Sequence, residues 1–271
     1  MKRIKFAHTL LALGTVAALS GCMATNPVLG GSEGNAATGA AGGANTQGEN
    51  SALEKCDEPL GTLGVVEKQS SAWYSTYRNR YPTLGSTVPV LRLMIQQSNC
   101  FVVVERGNAM NNMNTERDLA NSGELREGSN FGKGQMVAAD YTMAPSIQFA
   151  EKGTGGVGGL LAGKLGSLGS LVAGGLKKNE AATTLLLVDN RSGIQVSAAV
   201  GSAKNYDMKL FGGFFGGGLA GAGAFGNTPE GKLLTAAFTD SYNQMIKALR
   251  NYQAQEIKGG AGKGGKLGVS N

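Results

Sequence analysis

Histidine is nearly missing from this chain: His8 is the only one among 271 residues. It falls inside a segment that export is expected to remove, which leaves the mature chain without any. Serine or cysteine triads that need histidine, histidine metal sites and imidazole general bases are thereby excluded. Cysteine is scarce too, three residues in all, and tryptophan occurs once. No strong excess of charge exists. Lys and Arg total 25 against 19 Asp and Glu, and without Lys2, Arg3 and Lys5 the balance is 22 against 19. So small a surplus argues against a nucleic-acid partner. Long hydrophobic runs are also absent. The longest apolar stretch, Thr9 to Leu19, is too short to span a bilayer as a helix.

What the chain has in excess is glycine, 44 of 271 residues, about twice the usual ~7%. The excess sits in blocks, so it describes segments and not the body. The N-terminus carries the most specific signal. Lys2, Arg3 and Lys5 precede the apolar run, which ends in Leu19-Ser20-Gly21-Cys22, the pattern of a bacterial lipobox. Residues 1–21 are expected to be a signal peptide and Cys22 the site of lipid attachment; the other reading is an ordinary secretory leader with a chance cysteine. Met23 follows Cys22 where an aspartate would favour retention at the inner membrane. The expected address is therefore the outer membrane, facing the periplasm. Residues 22–57 are mostly Gly, Ala, Asn, Thr and Ser, a composition that cannot bury enough surface to offset ordering. They read as a flexible tether.

The body is expected over 58–252, followed by a Gly/Lys-rich tail, 253–271. Its strands are expected at Gly61–Glu67, Phe101–Glu105, Tyr141–Phe149, Thr183–Asp189 and Ile194–Ala203. Phe101-Val102-Val103-Val104 is a continuous apolar run, as in a strand buried on both faces. Glu105-Arg106 reads as an ion pair at the end of that strand. Gly107 opens a polar helix, and a second short helix is expected over Phe131–Ala139. Ser86-Thr87 can cap a helix with Val90, Leu91, Met94 and Ile95 on one face. A strand–helix–strand unit places its strands parallel, which brings Cys56 and Cys100 to one edge. They are a disulfide candidate in an oxidising compartment, or else two buried free thiols. Trp73-Tyr74 and Tyr77 to Tyr81 interleave aromatics with base. That pattern suits a nucleic-acid or glycan surface, or a loop packing its rings on the body. Asn190 to Gly193 marks a hairpin. Thr228-Pro229 begins a helix with Leu233, Leu234, Ala237, Phe238, Met245, Ile246 and Leu249 as its stripe.

Two glycine-rich apolar insertions, 153–178 and 211–226, interrupt this body. In the first, Leu161, Leu165, Leu168, Val172 and Leu176 recur at helical spacing, and neither insertion alternates as a membrane β-strand would. G-x-G-x-x-G occurs at Gly153, Gly155 and Gly158 and twice more in the second block, as composition alone would produce. Two near P-loops end in Leu165 and Leu233 where magnesium needs a hydroxyl. Paired acids such as Glu116 and Asp118 or Glu124 and Glu127 read as solvated faces. The expectation is a protein that is not an enzyme and carries no cofactor and no metal.

The stretches FVVVERGNAM, VAADYTMAPSIQF, ATTLLLVDNRSGIQVSAAVG and TPEGKLLTAAFTDSYNQMIKALR, in this order, resemble the CsgG/HfaB family of outer-membrane lipoproteins. The resemblance runs from about Pro59 to Tyr252. It implies an α/β fold, a single periplasmic domain with a mixed sheet and flanking helices. It also implies a homo-oligomeric ring that exports or anchors curli-like fibre or adhesin subunits, with accessory envelope proteins as partners. In the family's channel members each subunit sends two β-hairpins into the membrane, and the two insertions stand where those hairpins would. A poreless structural lipoprotein that binds peptidoglycan or an envelope partner is the other expectation.

Overall fold

A computed structural model describes residues 38–40, 51–129, 131–149, 180–204, 225 and 228–251. The leader, Cys22, both insertions apart from Phe225, and the tail lie outside the described residues. Five strands form one mixed sheet: β1 Thr62–Val65, β2 Val102–Val103, β3 Tyr141–Gln148, β4 Glu180–Asp189 and β5 Gln195–Lys204. Their spatial order is β2-β1-β3-β4-β5. β1 runs parallel to β2 and β3, and β4 lies antiparallel between β3 and β5. Among the described residues four helices accompany them: α1 Ala72–Arg80, α2 Val88–Ser98, α3 Ala109–Ser122 and α4 Pro229–Arg250.

Alternation along the strands decides which side is covered. Leu63, Val65, Met143, Ile147, Leu185, Leu187, Ala199 and Ala203 all belong to one buried cluster. The stripe of α2 (Val90, Leu91, Met94, Ile95) and that of α4 (Leu233, Leu234, Ala237, Phe238, Met245, Ile246) join the same cluster. Thr239 of α4 donates its hydroxyl to the Met94 sulfur at 3.3 Å, so the two helices touch over this face. We call it the near face. The approach of α4 is close because β5 carries Gly201 beneath it: a methyl there would run into the backbone of Ala237 and Ser241. Thr228 starts α4 by accepting from Gly231 N at 3.0 Å, with Pro229 in the first turn. Burial pushes the Tyr242 phenol up, and its neutral hydroxyl bonds Ser98 Oγ at 2.6 Å inside the core.

Chain ahead of the boundary expected at 57/58 also packs on the body. Leu53 is buried in the core. Asn243 of α4 receives Glu54 N at 2.8 Å and donates to the Ala52 carbonyl at 2.6 Å. Glu54 pairs with Lys247 and Arg250. Further upstream, Gln97 donates to the Thr38 carbonyl at 3.1 Å.

Four expectations are corrected. Phe101–Glu105 is not a strand buried on both faces. β2 is two half-buried residues at the sheet edge, and the deep burial lies just before it, in Cys100 and Phe101. Phe131–Ala139 forms no helix: Gly134 takes a left-handed φ of +81°, and Phe131 and Val137 are exposed, so no face is buried to stabilise one. Trp73 to Arg80 is a helix and not a loop; Tyr77 is its buried anchor, with Trp73, Tyr74 and Tyr81 around it. Glu105 pairs with Arg92 rather than with Arg106.

Gly201→Ala should lower the unfolding free energy by about 1–3 kcal/mol, since rigid backbone and not a flexible side chain must give way. Urea denaturation followed by circular dichroism measures it.

Candidate functional site

Strand register brings the ends of β3, β4 and β5 that adjoin the two insertions to one end of the sheet. Gln148 at the end of β3 pairs with Ala182 near the start of β4, and Glu180 pairs with Lys204 at the end of β5. Both insertions therefore leave and rejoin the body from the same end, the C-terminal end of the parallel strands. Phe225, which precedes α4, is buried in the core. Among the described residues no helix is long and apolar enough to cross a membrane.

A cavity of about 590 Å³ opens at that same end, beside β1 and β2. Arg92 of α2 reaches into its wall and grips Glu105 with both terminal nitrogens, at 2.5 and 2.9 Å. Glu105 also accepts from Gly107 N, which fixes the turn into α3. The Arg92 hydrogen bond is the main reason that the Glu105 carboxyl sits below the ordinary range, with the Gly107 amide adding to it. Glu67, just beyond β1, accepts from Thr87 N at 3.0 Å and Thr87 Oγ1 at 2.7 Å, so a carboxylate caps α2. Ser86 Oγ accepts from Val88 N at 3.1 Å beside it. Carboxylates from the chain itself thus stand at the starts of α2 and α3.

The opposite end is tied down. Cys56 and Cys100 form a disulfide with S–S 2.04 Å across a separation of 44 residues. Asn99, in the left-handed region with φ 56°, donates its amide to the Cys56 carbonyl at 3.0 Å. Asp140 accepts from Thr62 N at 3.0 Å and Thr62 Oγ1 at 2.9 Å, and from Arg191 at 2.9 Å. Those bonds, Thr62 first, hold its carboxyl below the usual range. Asp189 is lowered likewise by the amides of Ser192 and Arg191, which closes the hairpin turn. Asn190 completes the lock, its N–H to the Asp140 carbonyl at 2.9 Å and its side-chain amide to the Ala139 carbonyl at 2.8 Å. So the structure joins Asp140 of ADY to Asn190 and Arg191 of VDNRSG, and places Glu105 of VER at the other end. The Asp140–Arg191 contact was not foreseen; two polar motifs flanking one strand pair were the available signal.

Residues 41–263 match the family described as curli production assembly/transport component CsgG. The match covers most of the chain. This protein belongs to the CsgG family. No curated protein matches it. Membership makes it a component of curli-type secretion or assembly at the outer membrane. For a CsgG-family member, the end that carries both insertions is the candidate functional end.

Removing the disulfide tests how the tied end contributes. A Cys56→Ser/Cys100→Ser variant should lose about 3–4 kcal/mol, from the loop that the bond closes, read from the urea midpoint. Glu105→Gln should cost about 1–3 kcal/mol at pH 7, because Arg92 loses a charged partner. Glu105 has a folded pKa below its ordinary 4.5, so its contribution is complete above that pH and is lost as pH falls through the folded value. The gap between wild type and variant should therefore close in acid, as denaturation series from pH 7 to 3 will show.

Proposed function

We propose that this chain is an outer-membrane lipoprotein of CsgG type, anchored through a lipidated Cys22 and facing the periplasm. It assembles as a homo-oligomeric ring and assists the secretion or surface anchoring of curli-like fibre or adhesin subunits. The observation that carries the reading is the family match over 41–263, and the exit of both insertions from one end of the sheet supports it. A subunit with one tied end and one end bearing two long apolar segments suits a body that stands beside a bilayer. Its work in this reading is transport or anchoring and not catalysis, and it needs no cofactor or metal.

A second reading has its own support. Residues 153–178 and 211–226 lack the alternation of polar lumen-facing and apolar lipid-facing positions. That favours a poreless lipoprotein of the same architecture that holds peptidoglycan or an envelope partner.

Detergent-extracted oligomer placed in planar bilayers separates the two. Steady single-channel conductance is expected for the secretion reading; silence from intact rings removes it and leaves the poreless one. A Cys22→Ala variant should leave the outer-membrane fraction. If it still sediments there, the lipid is not the anchor.

A further inference from the structure

The sheet has a second face, and the described helices leave most of it bare. Core residues of β3, β4 and β5 point to the near face, so the intervening ones point away. Rows run across the strands as Ala144, Leu186 and Ala198, and as Ser146, Thr184 and Val200. With Val188 these side chains are half-buried or exposed, whereas Ala182, between Gln148 and Ser202 on the same face, is buried. No charged side chain interrupts the face between Thr142 and Ser202. Sheets in layered α/β folds are normally covered on both sides.

The element that would cover this face is α3. β1 to β2 steps one way along the sheet and β2 to β3 steps back, so right-handed crossovers put α2 and α3 on opposite faces. Gly64 agrees: it points away from the core, and a methyl on it would meet Arg106, entering α3, and Ala139, leaving the returning segment. Yet none of the fourteen residues of α3 is buried. Leu119 is 37% exposed, and the segment after α3 exposes Phe131 at 48%, Met136 at 37% and Val137 at 60%. Arg106 and Arg117 tie this segment to α3, through the carbonyls of Val137 and Gly132. The arm so formed belongs to the β2 and β1 end of the sheet order, while the bare face lies at the β3 to β5 end.

We propose that the arm of one copy, α3 with residues 131–137, covers the bare face of the next copy. The footprint matches: a 14-residue helix is about 21 Å long and ~10 Å wide, and three strands of eight residues present roughly 27 by 10 Å. Because the two surfaces differ and sit at opposite ends of the strand order, the contact is head-to-tail, and its repeat closes into a ring or continues as a filament. The repeat runs along the strand order, across the direction in which both insertions leave. Every copy then presents its insertions on the same side of the assembly. This deepens the ring reading above and rests on it.

The test uses the full chain extracted in detergent, with mass from light scattering. Wild type is expected to be oligomeric. Leu119→Asp/Val137→Asp, on exposed arm positions, and Ala198→Lys/Val200→Lys, on the bare face, should each give monomers with unchanged far-UV circular dichroism. Mixed together, the two variants should form a one-to-one dimer, since one keeps its arm and the other its face. If a folded arm variant keeps the wild-type mass, other surfaces hold the ring, and the pairing falls while the ring reading stands. A monomeric wild type ends both. Leu119→Cys mixed with Ala198→Cys and a short bismaleimide should yield cross-linked dimers. Cross-linking only within a chain that carries both cysteines would mean that the arm covers its own sheet, and blockage of Ala198→Cys in monomers would mean that residues 151–179 cover it; either overturns the proposal.

Discussion

One-sided burial governs this protein. Among the described residues the sheet buries mainly one face, under α2 and α4, and the tightest approach is where α4 lies on Gly201 with no side chain between the backbones. Close packing of that kind leaves little freedom in the position of α4 relative to β4 and β5. The three strands that carry both insertions are therefore held by one rigid layer.

The two ends of the sheet do different work for the same reason. At one end, a disulfide, the Asp140 lock and the capped hairpin turn close the structure with local bonds. At the other, Glu67 and Glu105 satisfy helix termini while β3, β4 and β5 open into long segments rich in glycine. The polar groups described at the two ends bond mostly to one another and hold the elements in place, while Glu67 Oε2 and Arg92 Nε are buried without a partner.

Much of this was legible in the residues. The α2 and α4 stripes, the hairpin at Asn190–Gly193 and the parallel pairing of β1 with β2 followed from periodicity and turn chemistry. Elements whose identity depends on tertiary context did not follow. Val102 and Val103 look like a central strand, because apolar runs do not reveal how many neighbours a strand has. Trp73 to Arg80 has almost no helical stripe, and its helix is anchored by Tyr77 packing that periodicity does not display. Phe131–Ala139 looks helical only if Gly132 and Gly134 are ignored. Arg92 is the Glu105 partner because α2 folds back beside β2, a contact invisible to a reading along the chain.

Native-state hydrogen exchange on the monomeric Ala198→Lys/Val200→Lys variant, resolved by mass spectrometry, tests one-sided burial most directly. The account predicts that amides of β4, β5 and α4 exchange only through global opening, while those of α3 exchange orders of magnitude faster. Equal protection of α3 and α4 in the monomer would mean that both faces of the sheet are buried within one chain, and the account would be contradicted.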